Sequence, residues 1–227
     1  MKNLDVIALG ELLIDFTENG FSANGNPLLE ANPGGAPCNV LAMLQNLGKK
    51  TAFIGKVGKD AFGDYLKDTV CQAGIDVTNL IQDATVPTTL AFVHTAADGD
   101  RSFSFYRDPG ADMMLSESEI DYSQITDAKI FHFGTLSMTH DGVRAATIKA
   151  VDYAKKHGLL ISFDPNYRPL LWKKEETAKE MMRYGCEICD ILKISDDEIT
   201  FITGKDTVEA AIPVFREMYQ PKLMCVT

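Results

Sequence analysis

The chain has 227 residues, 45% of them hydrophobic, and its 32 acidic against 22 basic side chains give a formal net charge of −10. That length and apolar content suit a globular chain with a substantial core, whereas the acidity argues against nucleic acid or an anionic membrane as partner, since both need a positive surface. The five cysteines form no dense disulfide framework and point to a reducing cytosol. Asp5, Glu11 and Asp15 interrupt the N-terminal apolar stretch, and no run approaches the length of a membrane span, so a soluble, cytoplasmic protein is expected.

Two short apolar runs, Val6-Ile7-Ala8-Leu9 and residues 12–16, open the chain, and residues 18–33, rich in Gly, Asn and Ser, read as a loop or small hairpin. The octet Asn32-Pro33-Gly34-Gly35-Ala36-Pro37-Cys38-Asn39 follows. Its two adjacent glycines allow backbone geometry that a Cβ forbids and let the main chain lie close to a ligand. Val40, Leu41, Met43, Leu44 and Leu47 then repeat at helical spacing until Gly48, so the octet opens a helix whose free N–H groups face whatever sits on the glycines. Such a loop is a cradle for a polar small molecule.

A strand over residues 51–57 and a helix over about 60–73, stopped by Gly74, set up βα alternation. It breaks at residues 88–94 and 101–106, two β-rich runs joined by Ala97-Asp98-Gly99-Asp100, where Asp98-Gly99 is a hairpin signal. These strands leave the main sheet. Alternation resumes with a strand at 129–133, a helix at 142–157 and a strand at 159–163 that ends in Asp164. A helix around 175–184, a strand at 191–194, helices at 197–203 and 207–219 and a strand at 223–226 complete the chain. The strands read as buried runs without alternation, which indicates an α/β fold whose parallel sheet is covered by helices on both faces. Cys186 and Cys189 form a Cys-x-x-Cys pair with no second pair or spaced histidine, and His94, His132, His140 and His157 lack metal spacing.

In such sheets ligands bind at the carboxyl ends of the strands. Asp15, Arg107, residues 164–168 and Ser195 to Glu198 occupy those positions. Within Asp164-Pro165-Asn166-Tyr167-Arg168, Pro165 stiffens the exit while Asn166 and Arg168 offer fork-like donors for phosphate or sugar oxygens. No Gly-x-Gly-x-x-Gly, no Gly-x-x-x-x-Gly-Lys-Ser/Thr and no Gly-x-Ser-x-Gly occurs, which removes the usual dinucleotide, P-loop and hydrolase fingerprints.

Seven segments taken together resemble the ribokinase-like sugar kinases, the phosphofructokinase B family, and within it the fructokinases most. They are Gly10-Glu11-Leu12-Leu13-Ile14-Asp15-Phe16, the Pro33 to Val40 stretch, Phe53-Ile54-Gly55-Lys56-Val57-Gly58 with Asp60 to Gly63, Phe105-Tyr106-Arg107 with Gly110-Ala111-Asp112, Phe131-His132-Phe133-Gly134, Asp164 to Arg168, and Leu192-Lys193-Ile194-Ser195 with Glu198. The resemblance implies a three-layer α/β/α sandwich, one ribokinase-like domain over 1–227, with a small β lid from residues 12–33 and 88–106 that commonly serves as a homodimer interface. It implies transfer of the γ-phosphoryl group of ATP, with Mg²⁺ and a monovalent cation, to a sugar hydroxyl. By similarity Asp15, Gly34, Gly35, Asn39, Tyr106 and Arg107 bind the sugar, and Asn166, Arg168 and Lys193 lie at the nucleotide phosphates. Arg168 would offset charge in the transition state. Glu198 would act on Mg²⁺ through water, although Ser195 stands where the family's Asn-x-x-Glu motif has Asn.

The alternatives are a kinase for 2-keto-3-deoxygluconate or another sugar, and a non-catalytic sugar-binding protein; a dehydrogenase lacks any nucleotide fingerprint. One departure from the family pattern is large. The family's Gly-Ala-Gly-Asp, which supplies the base, lies C-terminal to a strand like 222–227, and no Gly-x-Gly-Asp occurs in these 227 residues. The expectation is therefore a fragment of a longer kinase, with most of an acceptor-sugar site, without the base, adenine pocket and cation loop, and with an unpaired C-terminal strand edge that invites aggregation. The 227-residue chain is expected to show little or no fructose- and ATP-dependent turnover, measured as ADP release; turnover at an ordinary kinase rate would overturn this.

Overall fold

The computed structural model describes residues 2–95 and 101–227. The predicted Ala97-Asp98-Gly99-Asp100 turn lies outside the described residues. Eleven strands and seven α-helices are present among the described residues. In chain order they are β1 (Leu4–Leu9), β2 (Leu13–Phe21), β3 (Pro27–Gly34), α1 (Ala36–Asn46), β4 (Thr51–Gly58), α2 (Ala61–Gln72), β5 (Asp76–Asp83), β6 (Leu90–Thr95), β7 (Arg101–Tyr106), α3 (Tyr122–Thr126), β8 (Ala128–Gly134), α4 (Asp141–Lys156), β9 (Leu160–Asp164), α5 (Glu175–Ile188), β10 (Ile191–Ile194), α6 (Asp196–Thr203), α7 (Val208–Met218) and β11 (Leu223–Val226).

Seven strands form one sheet in the order β11-β10-β9-β8-β1-β4-β5. All of its pairings are parallel, as the βα alternation predicts. A second sheet, β3-β2-β6-β7, stands apart. In it β2 pairs β3 and β6 pairs β7 antiparallel, while β2 and β6 run parallel. The 18–33 stretch is thus a hairpin, with β2 reaching Phe21, and the two β-rich runs after residue 88 do leave the main sheet. Strand β5, at the sheet edge, and the short helix α3 are missing from the sequence reading. Asp76 to Asp83 mixes polar and apolar residues and carries only two fully buried side chains, Asn79 and Leu80, too few for an apolar run.

Side-chain parity along the strands builds the layers. On β1, Val6 and Ala8 point to the core under α1 and α2 together with Phe53, Leu41 and Leu66. Ile7 and Leu9 point to the opposite core under α3 to α7, with Phe131, Phe133, Ile161, Phe163, Leu192 and Ile194. The result is the three-layer α/β/α arrangement. Two expectations are corrected. β1, β4 and β8 approach continuous burial, whereas β9, β10 and β11 alternate, because one face of each packs under α4 to α7 and the other carries Leu160, Lys193 and Leu223 toward solvent. In α1 the helical repeat holds, but only Leu41 is fully buried, and Met43 is 60% exposed.

Phe163 fixes the part of the frame that carries the 164–168 loop. Its ring lies 4.7 Å from that of Phe133 and packs on Gly185 of α5, where an added Cβ would sit 2.2 Å from the Phe163 Cζ. Both residues are buried, so neither can yield freely. Gly185→Ala is expected to destabilise the fold by about 1–3 kcal/mol through overpacking, read as a lower urea midpoint at unchanged slope; an unchanged midpoint would show that the ring has room to move.

Candidate active site

The site begins at Gly35, which caps α1 with φ 127° and contributes no side chain. A Cβ at Gly35 would lie 2.4 Å from the Glu11 carbonyl oxygen, and one at Gly34 would lie 2.2 Å from Asp15 Oδ2. Gly34 leaves room for the Asp15 carboxylate, whereas Gly35 is demanded by the close approach of the chain to itself. That approach lets the Glu11 side chain do what a Ser or Asp cap does elsewhere, since Ala36 N–H donates to Glu11 Oε1 at 2.8 Å. Glu11 is buried, and burial pushes its carboxyl up to about 7 against the backbone N–H bonds that favour the charged form.

Beside this turn opens a cavity of about 370 Å³, within the roughly 300–1,000 Å³ of small-molecule sites. Its polar wall comprises Glu11, Asp15, Asn39, Asp164, Asn166 and Arg168, and its apolar wall includes Leu13, Phe103, Phe105 and Leu136. Burial raises the Asp15 carboxyl, and the Arg168 guanidinium pulls it the other way. Burial likewise raises Asp164, opposed first by Lys193. The cavity thus joins two half-buried carboxyls, a buried third and one guanidinium against a pair of aromatic rings.

The 164–168 loop is held from two sides. Thr135 donates to the Pro165 carbonyl through both its backbone N–H, at 3.1 Å, and its hydroxyl, at 2.6 Å. Tyr167 N–H donates to Glu198 Oε1 at 2.7 Å, and the Tyr167 ring stacks on Phe201 of α6. Between these anchors Asn166 takes a left-handed φ of 46°, which Asn tolerates better than most residues, and its N–H donates to Asp164 Oδ1 at 3.1 Å.

The structure brings Asp15, Gly35, Asn39, Asn166 and Arg168 to one cavity. The other expected residues lie differently. Gly34 sits behind Asp15 and lines a separate apolar cleft. Tyr106 is 67% exposed, and its ring packs edge-on against Phe92. Arg107 is only 7% exposed: its Nε and Nη2 lie 2.8 and 2.6 Å from Asp112 Oδ2, Nη1 donates to Thr139 Oγ1, and Nη2 donates to the Leu136 carbonyl. It ties the end of β7 to the loop after β8. Lys193 reaches Asp164 at 3.5 Å from the open face of β10. Glu198 is buried, with Oε2 accepting from Ser195 N–H at 2.8 Å while Oε1 takes Tyr167 N–H; it holds the loop and does not line the cavity.

Among the cavity residues given no site role from sequence are Phe103, Phe105 and Glu11. Phe103 and Phe105 carry a legible signal, because Ser102-Phe103-Ser104-Phe105-Tyr106 has period two and so turns both rings to one face and Tyr106 to the other; the rings stack at 5.9 Å. Glu11 carries none, since only the fold carries it to the head of α1. Ser195-x-x-Glu198 is a capping box, a signature readable in sequence that explains Ser at this position. Among the described residues no group of three or more His, Cys, Asp or Glu side chains could hold a metal ion. No helix of the described residues is long and apolar enough to cross a membrane. Cys186 and Cys189 are buried and free.

The family model described as pfkB family carbohydrate kinase matches residues 3–227. A probable fructokinase-7 of Arabidopsis thaliana is 42% identical over 220 residues, covering 96% of this chain and 64% of the relative, so the chain spans less than two thirds of that protein. The fructokinase of Xylella fastidiosa with bound ATP superposes with a TM-score of 0.86 at 33% identity, covering 98% of this chain and 68% of the other. The fructokinase of Vibrio cholerae O395 in a fructose, ADP and calcium ion bound form gives 0.86 at 27% identity, covering 99% and 70%.

Titration of Glu11 has a defined sign. Its folded value, about 7, lies above the ordinary 4.5, so the folded state binds the proton more tightly. Stability from this group is complete below about pH 4.5 and falls as pH rises toward 7, by at most ~1.4 kcal/mol per pH unit. Glu11→Gln, which keeps an acceptor for Ala36, is expected to abolish that fall in denaturant midpoints measured from pH 5 to 8; parallel profiles for the two proteins would refute the buried proton.

Proposed function

The chain belongs to the pfkB family of carbohydrate kinases, and from that membership we propose that the protein of which these residues form part phosphorylates fructose to fructose 6-phosphate with ATP. The observation that carries the reading is the cavity in which Asp15 and Arg168 interact across a space walled by Phe103 and Phe105. Carboxylates accept from vicinal hydroxyls, and aromatic rings pack on the C–H surface of a sugar, so this combination suits a neutral polyol better than a flat apolar ligand. The Xylella fastidiosa relative binds ATP, and the Vibrio cholerae relative binds fructose and ADP, which supports both halves of the proposal.

In this reading Asp15 and Asn39 hold sugar hydroxyls and Gly35 lets the α1 turn close against them. Arg168 and Asn166 stand where the donor phosphates meet the sugar, and the guanidinium offsets charge that develops during transfer. Lys193 extends that positive surface along β10, beside Asp164. Mg²⁺ would arrive with the nucleotide and neutralise its phosphates. Each Glu198 oxygen retains a lone pair beyond its backbone bond, so this residue fits a contact through water better than direct coordination. Arg107, sealed against Asp112, positions the small sheet and does not touch the sugar. The small sheet acts as a lid that excludes water, and its outward Phe21, Leu28 and Leu29 suit pairing with a second copy.

The reading is tested by binding before turnover. Calorimetric titration of fructose into the 227-residue chain is expected to show saturable binding, weakened at least about tenfold by Asp15→Ala, since a hydrogen bond to a charged group is worth roughly 1.5–3 kcal/mol. Tyr106→Ala is expected to leave it within about twofold. Equal loss in both variants, or no binding by a folded wild-type chain, would sink the assignment.

A further inference from the structure

One carboxyl in the wall of the sugar cavity has no part in the function proposed above. Glu11 lines that cavity although it is only 3% exposed, and its two oxygens are not equivalent. Oε1 accepts from Ala36 N–H at 2.8 Å. Oε2 takes no hydrogen bond of standard geometry among the described residues, yet it is not one of their sealed polar atoms without a partner. The exposed sliver of this side chain is therefore an unpaired oxygen at the cavity surface. Resting on the reading of the cavity as a sugar site, we propose that Glu11 is a further sugar-binding residue whose Oε2 hydrogen-bonds a sugar hydroxyl beside Asp15.

The groups around Glu11 decide its protonation state. From α1 it meets the Ala36 N–H and the Cys38 thiol, itself kept neutral by burial. From the segment after β7 it feels the Asp112 carboxylate and the Arg107 guanidinium. Across the cavity stand Asp15 of β2 and, at the exit of β9, Asp164 and Arg168. Neither guanidinium is free to hold a further negative charge, because Arg107 is paired with Asp112 and Arg168 favours the charged form of Asp15. Burial pushes the Glu11 carboxyl up to about 7, and the Asp112 charge raises it more than Arg107 lowers it. A sugar that displaces water from the cavity deepens this burial and favours the proton further.

A protonated carboxyl has an O–H donor that an ionised one lacks. Glu11 and Asp15 are then complementary, since one donates to a sugar hydroxyl while the other, its charge supported by Arg168, accepts from one. Two ionised carboxylates in the same small space could only accept and would repel each other. Fructose binding therefore takes up a proton near neutral pH, and affinity falls as pH rises through about 7, the folded value of Glu11.

Calorimetric titration of fructose into the 227-residue chain, from about pH 6 to about pH 8 in two buffers of different ionisation enthalpy, reads both quantities. The wild-type chain is expected to take up protons on binding and to lose at least about threefold in affinity across that range, with a slope of at most about tenfold per pH unit. Glu11→Gln keeps an acceptor for Ala36 N–H and an amide donor for the sugar. It is expected to bind within about threefold of wild type at pH 6 and to lose its share of the proton uptake. Asp15 and Asp164 are present in both proteins, so the difference between their profiles belongs to Glu11. Glu11→Ala is expected to weaken binding about fivefold at pH 6, the usual worth of a neutral hydrogen bond. Equal proton uptake by wild type and Glu11→Gln, or Glu11→Ala binding within twofold of wild type, would overturn the proposal and leave the sugar site standing. A folded wild-type chain that binds no fructose at any pH would remove the sugar reading and this inference with it. Circular dichroism melts at each pH separate lost binding from lost folding, and if Glu11→Ala does not fold, the Glu11→Gln comparison decides.

Discussion

Where β1 ends, the backbone of Glu11 and Leu12 runs so close to Gly35 that only a residue without Cβ, at a φ of 127°, lets the two segments meet. Nearly everything at the site follows from that contact. It brings the Glu11 carboxyl to the Ala36 N–H, starts α1 beside the cavity, and sets β3 against β2 so that Gly34 lies behind Asp15. A larger residue at Gly35 would push this turn away from the Glu11 and Leu12 backbone, and one at Gly34 would displace the Asp15 carboxylate. The same contact buries Glu11, whose raised proton affinity is the electrostatic cost of using a carboxyl as a helix cap in a dry place.

The small sheet shares a core with the main sheet through Ile14, Phe16, Ala31 and Leu90, and polar clamps fix it in addition. Asp60 accepts from Gly63 N–H, from Thr88 N–H and from the Thr88 hydroxyl, all at 2.8 Å, which fixes the chain just before β6. At the other end Asp112 accepts from the Thr89 hydroxyl and from Arg107, and Arg107 continues to Thr139 and Leu136. A buried ion pair of this kind adds little net stability, but loss of one partner would strand the other charge. Its value here is geometric, since it holds β7 at the angle that turns Phe103 and Phe105 into the cavity.

Much of this was legible in residues alone. Alternation of apolar runs with helical repeats gave the parallel sheet and its helices, and the two β-rich runs after residue 88 gave the second sheet. Asp15 and the Asp164 to Arg168 segment line one cavity, but only the latter sits at a carboxyl end of the parallel sheet; Asp15, expected at the end of its run, lies inside β2 of the second sheet. Less legible were elements without an apolar signature. β5 is half polar, and α3 spans only five residues. Side-chain direction was legible for Phe103 and Phe105 from their spacing, yet Tyr106 and Arg107 drew attention as polar groups though one faces outward and the other is sealed against Asp112.

Sequence by itself determined the fold class, the family and the identity of the Gly34-Gly35 turn, because periodicity, glycine placement and motif order are local properties of the chain. Only the tertiary structure decided which charges are free to meet a ligand. Arg107 and Arg168 are both arginines at strand exits, but one has Asp112 five residues away to neutralise it and the other has Asp15 across a cavity. Glu11 and Glu198 were both read as parts of motifs, yet each proves to satisfy backbone N–H groups from distant segments. Partnership between groups far apart in the chain is set by packing, and packing is what a one-dimensional pattern leaves open.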